Sequence, residues 1–130
     1  MERFIFDINP VPASRPRVTR YGTYYSAKYE QFRKDMGKLI LFYRGKTYKE
    51  PIRLDVTFYV AMPKSYSKKE RLALDGRYCV SNMDLDNLEK ALYDSLNGIV
   101  YEDDKQIVCH TTKKLWTTTK GRIQMILETV

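Results

Sequence analysis

Between Ile52 and Val60 every second residue is apolar: Ile52, Leu54, Val56, Phe58 and Val60 alternate with Arg53, Asp55, Thr57 and Tyr59. Successive strand side chains point to opposite faces, so this run predicts a β-strand with one face buried. On either side lie sequences able to cover it. Tyr29, Phe32, Met36, Leu39, Ile40 and Tyr43 recur at three- and four-residue spacing, with Ser26 as N-cap and Gly45 beyond the end. Leu85, Leu88, Leu92 and Leu96 space a second amphipathic helix that Asn97-Gly98 stops.

The remaining chain follows the same logic. Phe4 to Ile8 reads as a short strand ended by Asn9-Pro10, and Pro10 to Thr23 as a long loop without period. Pro63 ends the long strand, Ser67-Lys68-Lys69-Glu70 is a capping box for a short helix, and Gly76 closes it after Asp75. Arg77 to Met83 reads as extended. Gln106 to Leu115 and Arg122 to Thr129 are strand-like and, joined by Thr117-Thr118-Thr119-Lys120-Gly121, predict a hairpin. Strands interleaved with helices give an α/β or α+β fold: a mixed sheet flanked by helices.

A length of 130 residues suits a single domain over 1–130 with one core. No apolar stretch approaches the roughly 20 residues that span a bilayer, and Met1-Glu2-Arg3-Phe4 lacks a signal peptide's apolar segment, so no membrane association is expected. Two cysteines, Cys79 and Cys109, are too few for a disulfide framework. They read as small core residues in a reducing cytoplasm. The net charge of +7 and pI near 9.4 favour a nucleic-acid partner.

Against that basic background the acids are concentrated. Asp84, Asp86 and Glu89 open the second helix, and Glu102, Asp103 and Asp104 follow it. Carboxylates are the ligands hard cations such as Mg2+ and Mn2+ prefer, and basic surroundings would hold a polyanion against them. Asp84 and Asp86 would share a face if extended. Asp86 has a second reading, as N-cap of a capping box with Glu89. Lys90 lies one helical turn after Asp86, placed for a phosphate or leaving oxygen, or else for an ion pair with Asp86 or Asp94. A ten-residue helix is about 15 Å long, and the stretch Asn97 to Asp104 can span about 25 Å, so the second acidic group is able to return to the first. Otherwise it is a surface turn.

The ordered pattern Asp84-Leu85-Asp86-Asn87-Leu88-x-Lys90, Asp94-x-Leu96 and Asp103-Asp104-x-Gln106-x-Val108 resembles the RusA family of Holliday junction resolvases. Arg15-Pro16-Arg17, Pro63-Lys64-Ser65 and Leu96-Asn97-Gly98 extend the likeness over nearly the whole chain. The resemblance implies a homodimeric, metal-dependent endonuclease that resolves four-way DNA junctions by paired nicks in recombination, repair or phage DNA processing. Asp84, Asp86 and Asp104 match the family's essential carboxylates, as ligands for Mg2+ or for Mn2+ in its place, and Lys90 matches its catalytic lysine. Asp103 stands as a second candidate beside Asp104. One departure concerns DNA contacts: many relatives carry Lys-Pro or a basic run where this chain has Asn82-Met83.

Arg15, Arg17 and Arg20, with Tyr21, Tyr24 and Tyr25, combine phosphate-binding groups with aromatic faces suited to unpaired bases. Lys68, Lys69 and Arg71, then Lys113, Lys114, Lys120 and Arg122, are further phosphate candidates. His110, beside Cys109 on a strand, reads as structural, and Trp116 as a stacking or interface residue. The rival reading from another class is a non-catalytic nucleic-acid-binding module in which Asp86 only caps a helix.

Overall fold

The computed structural model describes all residues, Met1–Val130. The strands β1 (Glu2–Phe6), β4 (Ile52–Ala61), β5 (Ile107–Thr117) and β6 (Arg122–Thr129) form a sheet ordered β1-β6-β4-β5. Its β1–β6 and β6–β4 pairs are antiparallel and β4–β5 is parallel. A separate two-stranded ribbon, β2 (Arg17–Thr19) with β3 (Gly22–Tyr24), interrupts the expected long loop. The helices are α1 (Ala27–Ile40), α2 (Lys68–Leu74) and α3 (Leu85–Leu96). This is an α+β fold with a mixed sheet, as the interleaved pattern predicts.

The long alternating strand sits inside the sheet. Ile52, Leu54, Val56, Phe58 and Val60 are buried, as are Ile123, Met125 and Leu127 of β6 and Phe4 and Phe6 of β1. Tyr29, Phe32, Met36 and Ile40 of α1 and Leu88, Ala91, Leu92 and Leu96 of α3 complete one core on the same side. Ser26 caps α1, accepting from the Tyr29 amide at 3.3 Å. The helix stops at Ile40, leaving Leu39 exposed and Tyr43 beyond its end. Ser67 and Glu70 form the expected capping box on α2.

The hairpin expected of the last two strands is absent: β5 and β6 lie on opposite sides of β4, and residues 118–121 cross over its end. Burial decides this. The apolar row of β6 is wholly buried and belongs between two strands, whereas the β5 residues registered with Leu54, Val56 and Phe58 are His110, Thr112 and Lys114. A polar inward row suits an edge. Because β4 and β5 are parallel, the chain between them must cross over, and that crossover carries α2 and α3.

A smaller cluster of Val60, Met62, Cys79 and Trp116 packs with Tyr66 and Leu74. Trp116 is therefore buried within the chain, edge-on to Tyr66 with ring centroids 5.9 Å apart, and is not free to stack on a base or face a partner. Cys79 is buried as expected. Cys109 is exposed, since it falls on the outward row of β5 opposite Arg53.

Candidate active site

Burial of Leu88, Ala91, Leu92 and Leu96 fixes the rotation of α3, and the helix then turns Asp86, Glu89, Lys90 and Asp94 toward the β5 edge. Its N-cap is Asp84, with φ −74° and ψ 136°, and no side-chain cap bond is made. The expected capping box of Asp86 and Glu89 does not form, because Leu85 is already helical and an N-cap must be extended. Asp86 instead lies in the first turn, where the helix dipole favours a negative charge, and its Oδ1 accepts from the Asn87 amide at 3.0 Å. Glu89 accepts from the Thr112 hydroxyl of β5. Asp84 and Asp86 thus do not share the face of an extended segment, and neither carboxylate is committed to a cap.

The return to the site is built by hydrogen bonds. Gly98, at φ +76°, turns the chain after α3, and its amide donates to the Tyr101 carbonyl at 2.7 Å. The buried Tyr101 hydroxyl donates to the Tyr93 carbonyl at 2.7 Å, satisfying one of the last α3 carbonyls that no helical amide can reach. Asp103 then caps a single 3-10 turn, Asp104–Gln106, accepting from the Lys105 amide at 2.9 Å. Gln106 accepts from the Asp103 amide at 2.9 Å, and its Nε2 donates to the carbonyls of Tyr48 at 2.9 Å and Glu50 at 3.0 Å. Gln106 therefore anchors the turn that aims Asp104. That role is not visible in the sequence, because its partners lie more than fifty residues away.

The result is an open cleft of about 480 Å3 lined by Asp86, Glu89, Lys90, Tyr93, Asp94, Asp104 and the start of β5 from Ile107 to His110. Three of the sequence candidates, Asp86, Lys90 and Asp104, meet here. Asp84 lies two residues from Asp86 at the helix start and is not part of the lining. Lys90 donates to Asp94, not Asp86, with Nζ 2.8 Å from Oδ2, and this bond together with the Asp94 charge raises the Lys90 pKa. Burial raises the Asp104 pKa, helped by the adjoining Asp103 and Asp94 carboxyls. Asp103 is lowered, by the Lys105 amide and then by its bond with the Asp104 carboxyl. In this arrangement no three His, Cys, Asp or Glu side chains converge into a ready-made metal cage. The donors are nonetheless hard oxygens, and crowding of the Asp104 carboxyl by two others is the chemistry a divalent cation relieves.

His110 also lines the cleft. Its Nδ1 is 2.9 Å from the Tyr93 hydroxyl and 3.7 Å from Glu89 Oε2, so the ring is held by α3. Lys114 donates to the Met83 carbonyl and, at 3.4 Å, to Ser81 Oγ, tying down the segment that leads into Asp84. Arg122 lays its guanidinium over the Tyr59 ring at 3.8 Å on the sheet face opposite the helices. These two basic side chains are engaged within the fold.

Arg15, Arg17 and Arg20 are exposed on and just before the ribbon, with Arg20 5.2 Å from the centre of the Tyr21 ring. The arm leading to the ribbon is fastened to α3 by the Ala13 amide donating to the Asn87 carbonyl at 2.9 Å, and Ser14 Oγ accepts from the Ser26 amide at 3.1 Å. The ribbon is thereby rooted beside Asp86. Lys68 and Lys69 are exposed in the first turn of α2 and do not line the cleft.

An acid-lined cleft on a mixed sheet, with exposed arginines rooted at its edge in a chain of net charge +7, defines a basic protein whose carboxylate cleft lies beside groups suited to polyanions. Comparison with known families gives that class a name. The family described as Endodeoxyribonuclease RusA matches residues 7–128, nearly the full length, and the chain belongs to that family. It is also 30% identical over 130 aligned residues to the uncharacterized protein YqaN of Bacillus subtilis (strain 168), covering 93% of this chain and 91% of that relative. The RusA family implies nuclease function on branched DNA. No helix here is long and apolar enough to cross a membrane.

Proposed function

We propose that the chain is a Mg2+-dependent endodeoxyribonuclease that resolves Holliday junctions and related branched DNA by paired nicks. The observation that carries this reading is the meeting of Asp86, Lys90 and Asp104 in one cleft of a RusA-family chain. Asp84, Asp86 and Asp104 would hold Mg2+, or Mn2+ in its place. When bound, the ion supplies Lewis acidity at the phosphoryl oxygen and a more acidic water.

The chain's own residues do the rest. Lys90 offsets charge on the leaving 3′ oxygen or orients the phosphate as a point charge. Arg15, Arg17 and Arg20 bind phosphates on the approach to Asp86, and Tyr21 and Tyr24 offer faces to bases unpaired at the branch. Lys68 and Lys69 of α2 hold a more distant phosphate. Residues 1–130 act as one domain, in the cytoplasm where the DNA lies. Two copies make a two-fold dimer, because a four-way junction presents two equivalent strands and a symmetric protein brings one cleft to each.

The test is cleavage of a labelled synthetic four-way junction with Mg2+ or with EDTA, with linear duplex as control and Asp86→Asn alongside. Paired, metal-dependent nicks that Asp86→Asn reduces at least 100-fold, with junction binding retained, are expected. Binding without cutting, in Mg2+ and Mn2+ and across junction sequences, would overturn the nuclease reading and leave a nucleic-acid-binding module.

A further inference from the structure

Lys90 stands one helical turn from two carboxylates, Asp86 before it and Asp94 after it. On an isolated helix the pair with the acid N-terminal to the lysine is the better one, which favours Asp86. The structure makes the other: Lys90 Nζ bonds Asp94 Oδ2 at 2.8 Å, and no bond to Asp86 is present. Asp94 also lies in the last turn of α3, where the helix dipole disfavours a negative charge and the turn itself carries no basic residue. Its side chain is only 34% exposed, and it adjoins the Asp104 carboxyl across the cleft. Helix propensity does not account for an acid at this place, and its one ion pair, with Lys90, faces the cleft. Its position makes sense for the chemistry of the cleft.

We infer that Asp94 is a positioning residue, which holds the Lys90 ammonium at the Asp104 side of the cleft and keeps it off Asp86. Without Asp94, the nearest anionic partner on the helix is Asp86, and a lysine paired there would neutralise a carboxylate needed for a cation while leaving the place where it meets phosphate. The inference rests on the nuclease reading above for its consequence, but its structural content stands separately.

Two measurements on full-length protein test it. In single-turnover cleavage of the labelled four-way junction with Mg2+, Asp94→Asn is expected to lower the rate at least 10-fold, with the Kd for junction in Ca2+ changed less than twofold. Asp94→Glu should recover part of the rate. Thermal unfolding of Asp94→Asn should show an unchanged or higher Tm, since a charge is removed from the wrong end of a helix. A merely structural acid predicts the reverse pattern, a lower Tm with an unchanged rate per folded molecule, and that result would overturn the proposal. The second measurement is 15N NMR of the Lys90 ammonium. Restricted motion in the wild type that is released in Asp94→Asn supports the proposal, and equal mobility in both refutes it. If the wild type cuts no junction, the nuclease reading fails while the NMR comparison still decides whether Asp94 holds Lys90.

Discussion

At the scale of single residues, Asp104 shows how a site is paid for in stability. Its pKa is raised from 3.8 by burial and neighbouring carboxyls, so the folded state binds the proton more tightly than the unfolded state does. Stability then falls as pH rises from about 3.8 through the folded pKa, and the full penalty is present at neutral pH. Asp104→Asn should therefore raise Tm at pH 7, a gain that disappears below pH 3.8, while junction cleavage is lost. Melting curves of both proteins across pH 3 to 8 check this. The acid pattern itself was legible in the sequence. What each carboxylate does was less so: Asp86 matched a capping box only on the assumption that it precedes the helix, and Asp104 was preferred to Asp103 on the family pattern alone, whereas the backbone turns Asp103 toward the Lys105 amide and Asp104 toward the cleft.

At the scale of elements, periodicity located both long helices and the central strand because their side chains answer to one buried face each. It misjudged the connection between β5 and β6, since two strands in sequence pair as a hairpin only if no third strand competes for the place between them. β4 competes and wins. The crossing segment has a tight point at Gly121, where an added Cβ would lie 2.0 Å from Asn9 Oδ1 and 2.9 Å from Asn9 Cα. Gly121→Ala should cost about 1–3 kcal/mol, as forced overpacking does. Gly37, exposed in α1 with nothing within 4 Å of its Cβ position, gives the contrast: Gly37→Ala should stabilise by about 0.5–1 kcal/mol. Urea midpoints of the two variants should move in opposite directions. The ribbon of β2 and β3 was missed because its residues are all exposed and carry no apolar period.

At the scale of the whole molecule, a net charge of +7 with acids gathered in one cleft makes binding salt-dependent. If about six phosphates are engaged, junction affinity should fall on the order of 10^3-fold between about 50 and 200 mM salt. Gel-shift or anisotropy titrations at several salt concentrations measure the slope, and a flat response would count against phosphate contacts by the arginines. Sedimentation should give twice the chain mass of 15.4 kDa for the proposed dimer. The sequence by itself determined the α+β class, the two amphipathic helices, the buried strand and the inventory of acids, since each depends on residue type and near neighbours. The tertiary structure decided strand order, the partner of Lys90, the anchoring of Asp104 by Gln106 and the rooting of the ribbon beside Asp86. These depend on contacts between distant segments, and no local periodicity records which segments will compete for the same edge, carbonyl or charge.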